Sequence, residues 1–358
     1  MSEIRVLLVD DSTLARRMMV TALANHPEIE VVGSVPTGGL ALMRLEELRP
    51  DAVILDVEMP GIDGVETLKL IRAIKPKLPV IMFSALTERG AEVTVRALAA
   101  GASDYVCKPS AVEERSAQSV VSGELVPKLL ALCGRRSMRE IPIRRDERRV
   151  VPGPSVDRVE MLVIASSTGG PNALAVLLPL LPPRLRVPVA IVQHMPPVFT
   201  RYLAERITAA GPLAAQEAAG GEPLEPGKVW VAPGNYHLEL VLRDGDVQTA
   251  LSQAPPENSC RPAADVLFRS AAKIFGQRVL GVVLTGMGQD GLNGARAIVD
   301  AGGKVLVQDE ATSVVWGMPK AIEQAGLAEE VLPLEHLAHA IALRCGQFPQ
   351  LTQGGAAL

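Results

Sequence analysis

The sequence predicts an α/β protein built of two doubly wound domains, on three observations. At 358 residues, 48% of them hydrophobic, the chain exceeds what one core usually serves and suffices for two. Short apolar runs of strand length alternate with amphipathic stretches of helical period through both halves. Between the halves, residues 135–154 (RRSMREIPIRRDERRVVPGP) lack apolar periodicity and are dense in Arg and Pro, as an exposed tether is. The expected division is a domain at 1–134, a linker at 135–154, a domain at 155–343 and a polar, glycine-rich tail at 344–358.

In the first domain the strand-length runs are residues 5–9, 52–55 and 80–83, followed by Tyr105-Val106, and helical stretches such as 13–24 and 65–74 lie between them. Acidic and hydroxyl residues fall where these runs end: Asp10 and Asp11, Asp56, Ser84, then Lys108. In a doubly wound sheet the carboxyl ends of the strands line one crevice, so residues far apart in sequence converge there. Clustered carboxylates repel unless a cation sits among them, and oxygen-only ligands favour Mg2+. A lysine and a hydroxyl opposite suit a transferred phosphoryl group. Each acid taken alone also reads as a solvated strand-end cap.

The segments VDDS, LDVEMPGIDG, FSAL and DYVCKP, in this order and spacing, resemble a response-regulator receiver domain across the whole first third. The resemblance implies a flavodoxin-like fold with Asp56 as phosphoryl acceptor and a histidine kinase as donor. It implies Mg2+ held by Asp11, Asp56 and the main-chain carbonyl of Glu58, with Asp10 acting through water. Ser84 and Lys108 are then the phosphoryl contacts, and Tyr105 the switch aromatic.

In the linker, a run of like charge also fits binding to nucleic acid or to an acidic surface; the plainer reading is a soluble tether. The net charge is −4, and both flanking regions are acidic: residues 1–134 carry 14 Lys+Arg against 18 Asp+Glu, and 155–358 carry 15 against 19. Neither offers a broad basic face for DNA, and 3% aromatic content is too little for base-stacking platforms. Cys107, Cys133, Cys260 and Cys345 form no C-x-x-C pair and read as ordinary reduced thiols. The N-terminal apolar run stops at Asp10-Asp11 and the one near 173–181 is broken by Pro179, so no signal peptide, no membrane insertion and a cytoplasmic location are expected.

In the second domain, EMLVIASSTGG carries a buried-strand run (161–165) into a glycine-rich turn, and Pro171 suits the first turn of a helix. Further strand runs are 187–192, 229–231, 237–242, 279–284 and 304–307, with helical stretches at 173–178, 199–210, 263–274 and 294–301. Ser167, His194 and Asp290 each follow a strand run, so a parallel sheet brings them to one cleft as nucleophile, base and orienting acid. Backbone N–H groups near Thr168 and Met287 are the candidate oxyanion donors. Alternatives stay open at this level. The Ser-Ser-Thr stretch also reads as a helix cap, and His194 as a buried, satisfied imidazole. His237, beside Pro233-Gly234, competes as base but begins a strand run rather than ending one. Gly286-x-Gly288-x-x-Gly291 formally fits a dinucleotide loop, although it comes late in the chain and would set Asp290 beside a pyrophosphate.

ASSTGGP, QHMPPVFTRYLAERI, LTGMGQDG and VVWGMPK resemble the catalytic domain of chemotaxis protein-glutamate methylesterases, and receiver plus catalytic domain together cover the chain. The resemblance implies a phosphorylation-activated serine esterase with Ser167, His194 and Asp290 as its triad. Its substrates would be glutamate methyl esters on the cytoplasmic portion of membrane chemoreceptors, with receptor glutamines as a second substrate, and the catalytic domain would need no cofactor. One departure stands out: Ser166 occupies a position where the family usually has alanine, which puts a second hydroxyl beside the nucleophile. The rival expectation is a receiver joined to a DNA-binding or non-catalytic output domain; no helix-turn-helix with a basic helix is evident against it.

Overall fold

The computed structural model describes residues 3–109, 117–134 and 159–346; the linker expected at 135–154 and most of the tail expected at 344–358 lie outside them. The first sheet holds five parallel strands, β1 (Ile4–Val9), β2 (Ile29–Val35), β3 (Ala52–Asp56), β4 (Val80–Ser84) and β5 (Asp104–Cys107), in the order β2-β1-β3-β4-β5. Strands β3, β4 and β5 are buried along their whole length, as expected when helices cover both faces. The helices are α1 (Thr13–Leu23), α2 (Gly38–Leu48), α3 (Gly64–Ile74) and α4 (Glu88–Ala99), then α5 (Ala117–Val120) and α6 (Val126–Cys133), joined by a π turn. Helices α1 to α4 start on Ser12, Thr37, Asp63 and Thr87, whose side chains accept the N–H three residues on. Each such cap is worth about 1 kcal/mol and fixes where the chain leaves the carboxyl edge.

The second sheet is a seven-stranded parallel one. Its strands are β6 (Met161–Ser166), β7 (Val189–Gln193), β8 (Ala214–Glu217), β9 (Lys228–Val231), β12 (Val279–Val283), β13 (Lys304–Gln308) and β14 (Glu330–Leu332), in the order β14-β13-β12-β6-β7-β9-β8. The run at 237–242 is not one of them. It forms β10 (His237–Arg243), which pairs antiparallel with β11 (Asp246–Ser252) in a separate hairpin. The turn Asp244-Gly245, both residues at positive φ, reverses the chain at once, so no helix intervenes to return β10 to the parallel sheet. Helices α7 (Gly170–Leu177), α8 (Phe199–Ala210), α9 (Ala264–Phe275), α10 (Leu292–Asp300), α11 (Met318–Gln324) and α12 (Leu334–Arg344) clothe the sheet. Helix α12 takes in Arg344, which the sequence assigns to the tail.

Strand order fixes where the sites lie. In the first sheet it reverses between β1 and β3, and in the second between β12 and β6; in open α/β sheets ligands bind outside the strand ends at such points. One apolar cluster runs from the α3–α4 side of the first sheet into the α7–α8–α12 side of the second. At the junction the Tyr105 and Phe199 rings stack with centroids 5.0 Å apart. Glu88 of α4 bonds Arg201 and Tyr202 of α8, and the Asn172 amide donates to Ala102 O at 3.0 Å.

Candidate functional sites

At the β1/β3 switch point, carboxylate oxygens of Asp10, Asp11 and Asp56 all lie within 4.8 Å of one another. Asp10 and Asp56 are buried and Asp11 is exposed. Lys108 Nζ lies 2.9 Å from Asp10 Oδ2 and 2.7 Å from Asp56 Oδ2, so one ammonium offsets part of their repulsion. Burial pushes the Asp56 carboxyl up to about 6 and the Asp10 charge adds to this, while Lys108 pulls it back. The Glu58 N–H donates to Asp56 Oδ1 at 3.3 Å, which sets the turn after β3. An all-oxygen set of this charge fits a hard divalent cation. The Ser84 hydroxyl, fully buried, donates to Gly90 O at 3.1 Å and so faces α4 in this state. Tyr105 is buried against Phe199, with Lys128 Nζ over its ring at 5.0 Å.

At the second switch point β6 lies between β7 and β12, so the loops carrying Ser167, His194 and Asp290 leave adjacent strands. The His194 N–H donates to Ser166 O at 3.1 Å and the Ser167 N–H to Thr285 O at 3.0 Å. Asp290 is buried at the amino terminus of α9. Its carboxylate accepts the Ala264 and Asp265 N–H groups at 2.6 and 3.1 Å, and that of Gly291 at 3.0 Å. Asn258 Nδ2 adds a bond at 3.0 Å, and His194 Nε2 lies 2.7 Å from Oδ2. Burial opposes charge on both groups, but their mutual bond outweighs it. Asp290 is held below the usual carboxylate range, and His194 is pushed up to about 9 with help from Cys260.

Because the carboxylate takes Nε2, Nδ1 is the ring nitrogen left for a hydroxyl. In this state Nδ1 lies 3.6 Å from Cys260 Sγ, and among the described residues Ser167 makes no hydrogen bond to the ring. The other candidate base is tied to backbone: His237 Nδ1 accepts the Ala263 N–H at 3.2 Å and Nε2 faces Pro255 O at 3.2 Å. His237 is thereby a buried, satisfied imidazole of the hairpin.

The extra hydroxyl of Ser166 points away from the cleft. It is fully buried and donates to Gln193 Oε1 at 2.7 Å. Gln193 donates in turn to Ser167 O at 3.0 Å and His194 O at 3.3 Å. On the other side Thr285 Oγ1 lies 2.9 Å from Thr168 O, and Gln308 Oε1 accepts the Thr285 N–H at 2.8 Å. The sequence alone assigned no role to Gln193, Asn258, Thr285 or Gln308, and Cys260 reads there as an ordinary thiol. The available signal was a polar residue ending, or just after, an otherwise apolar strand, as Gln193, Thr285 and Gln308 do. Thr168 is buried and Met287 38% exposed, and their backbone N–H groups donate to no described residue. Among the described residues no helix is long and apolar enough to cross a membrane.

Comparison with known proteins gives two family matches: CheB methylesterase over residues 162–341, and response regulator receiver domain over residues 6–118. A protein-glutamate methylesterase/protein-glutamine glutaminase of Nocardioides sp. is 50% identical, covering 99% of this chain and 100% of its own. One of Trichodesmium erythraeum is 48% identical, covering 97% and 100%. The crystal structure of the Thermotoga maritima CheB methylesterase catalytic domain matches with a TM-score of 0.50 at 41% identity, covering 51% of this chain and 97% of that one.

Proposed function

Because the chain belongs to the CheB methylesterase family and carries a response-regulator receiver domain ahead of the catalytic one, we propose that Ser167, His194 and Asp290 hydrolyse glutamate methyl esters on chemoreceptors under control of Asp56. The protein is a receiver-regulated methylesterase; a DNA-binding or non-catalytic output domain finds no support in the family matches. The observation that carries the residue assignment is the Asp290–His194 bond of 2.7 Å, with Asp290 buried, at the strand end next to Ser167. We take the division as a domain at 1–134, a linker at 135–154 and a second domain at 155–343 ahead of a tail at 344–358, with the last helix of the second domain running one residue past that boundary to Arg344.

His194 Nδ1 takes the Ser167 proton as Oγ attacks the ester carbonyl, and Asp290 stabilises the imidazolium that forms. The N–H groups of Thr168 and Met287 receive the developing oxyanion. Collapse breaks the bond to methoxide, which leaves as methanol with the proton from His194. Water, deprotonated by the same nitrogen, then cleaves the glutamyl-Ser167 ester and restores the hydroxyl. A receptor glutamine follows the same path with ammonia as leaving group, in keeping with the relatives' double name.

In the first domain a carboxylate oxygen of Asp56 attacks the phosphorus of a histidine kinase's phosphohistidine, and the imidazole leaves. Lys108 and Ser84 contact the transferred oxygens, and Tyr105 reports the change to the Phe199 side of the interface. Mg2+, held by Asp11, Asp56 and the Glu58 carbonyl with Asp10 through water, would neutralise the phosphoryl charge. Substrates on the cytoplasmic portion of receptors require a cytoplasmic enzyme. The test is methanol release from methylated receptor fragment, with and without phosphodonor. Ser167→Ala should abolish release with an unchanged fold. Asp56→Asn should keep the basal rate and lose stimulation. Wild-type turnover from Ser167→Ala, or a full response from Asp56→Asn, would reject the corresponding assignment.

A further inference from the structure

At the carboxyl edge of the second sheet buried polar side chains bond one another and the backbone, and Gln193 is the one that joins Ser166, Ser167 and His194. It ends β7, is 1% exposed and stands in register with Ser166 of β6. Its amide is fully engaged: Oε1 accepts the Ser166 hydroxyl at 2.7 Å, and Nε2 donates to Ser167 O at 3.0 Å and His194 O at 3.3 Å. A hydroxyl with its proton committed to Oε1 leaves the NH2 end no choice but the two carbonyls. Helix α7 rests on this amide. A Cβ on Gly170 would lie 2.0 Å from Gln193 Oε1, so a residue without a side chain is needed there.

Ser167 O is pinned by Gln193 Nε2 and by the Gly170 N–H at 2.8 Å. The Ser167–Thr168 peptide is trans and planar, so its N–H points opposite to its C=O. Holding the carbonyl therefore turns the Thr168 N–H to the side opposite Gln193, where it donates to no described residue. Thr285 Oγ1, 2.9 Å from Thr168 O, restrains the next peptide from the β12 side.

We propose that Gln193 is a positioning residue for the esterase reaction, which aims the Thr168 N–H at the developing oxyanion by holding the carbonyl of the same peptide and ties the His194 backbone to it. This rests on Ser167 as nucleophile. It also gives Ser166 a role: its hydroxyl fixes the sense of the Gln193 amide.

The test compares full-length wild type, Gln193→Leu and Ser166→Ala, all with phosphodonor, in methanol release from methylated receptor fragment and in inhibition by an alkyl boronate, which forms a tetrahedral adduct on the serine. Misaiming one donor costs less than deleting it, so Gln193→Leu should lower kcat roughly 10- to 100-fold with KM within about twofold. Boronate affinity should fall by a similar factor, and Ser166→Ala should move both in the same direction by a smaller one. A kcat within twofold of wild type, a loss confined to KM, or unchanged boronate affinity beside reduced kcat would overturn the proposal. Should Gln193→Leu not fold, Ser166→Ala decides: boronate and substrate affinities that stay in the wild-type ratio overturn it, and a selective loss for the boronate supports it. Turnover by Ser167→Ala, by contrast, would remove the nucleophile assignment whatever Gln193 does.

Discussion

Replacing Asn172 by Asp should raise the basal esterase rate without changing the phosphorylated one. The Asn172 amide reaches across the domain junction, with Nδ2 donating to Ala102 O at 3.0 Å and Oδ1 accepting from Arg206 Nη2 at 3.3 Å. Aspartate has the same shape and keeps an acceptor for Arg206 inside its own domain, but turns an oxygen toward the Ala102 carbonyl. If control works by the first domain packing over the second, the arrangement joined by this bond is the closed, inhibited one, and a lost hydrogen bond with an unsatisfied acceptor costs it about 1–3 kcal/mol. That corresponds to roughly a 5- to 150-fold shift between closed and open forms. If the resting enzyme is mostly closed, unphosphorylated turnover rises by the same factor until it meets the phosphorylated ceiling. Methanol release from methylated receptor fragment, with and without acetyl phosphate, reads both rates in one preparation. An unphosphorylated rate equal to wild type would refute the reasoning, as would both rates moving by one factor, since the change would then act on chemistry and not on closure.

The pH dependence has a definite sign. The base must be neutral, and His194 is pushed up to about 9, so kcat/KM of the resting enzyme should climb between pH 6.5 and 9 and then level; a flat profile over that interval would count against His194 as base. A folded pKa raised above the ordinary value also means that the His194–Asp290 bond stabilises the fold fully below about pH 6.5 and loses this contribution as pH rises through 9, which thermal melts across the range would detect. Gly234→Ala should lower both Tm and turnover: a Cβ there would sit 2.2 Å from Pro197 N and 2.3 Å from Pro196 C, on the backbone that follows His194. Overpacking against backbone costs about 1–3 kcal/mol, and a wild-type melting curve would show that the loop yields freely.

The convergence of the candidate site residues was legible because strand ends announce themselves. The run at 161–165 extends in the structure to Ser166 and that at 279–284 stops at Val283, and Ser167 and Asp290, the proposed nucleophile and orienting acid, follow them, so their placement was readable from apolar length alone. Strand β2 left a weaker trace: IEVVGSV is buried only at its two ends, and no continuous apolar run marks it. The strand at 237–242 was legible but its sheet was not, because a half-buried hairpin strand and a parallel-sheet strand have similar composition over six residues. The place of Cys260 and Asn258 beside His194 and Asp290 was hidden for another reason. They stand on the tight turn closed by the Glu257–Cys260 bridge, with Asn258 and Ser259 at positive φ, and their contacts with His194 and Asp290 span 66 and 32 residues.

The sequence by itself determined two α/β units, the acids and hydroxyls at their strand ends, and the chemical types available there, because hydrophobic period and turn residues are local properties. Only the tertiary structure decided that β6 lies between β7 and β12, that Asp290 takes Nε2 of His194 and leaves Nδ1 facing Cys260, and that Ser166 turns inward to Gln193. These follow from strand order and from the packing of α7 and α9 on the sheet, where one buried hydrogen bond chooses among orientations that the chain, read residue by residue, leaves equal.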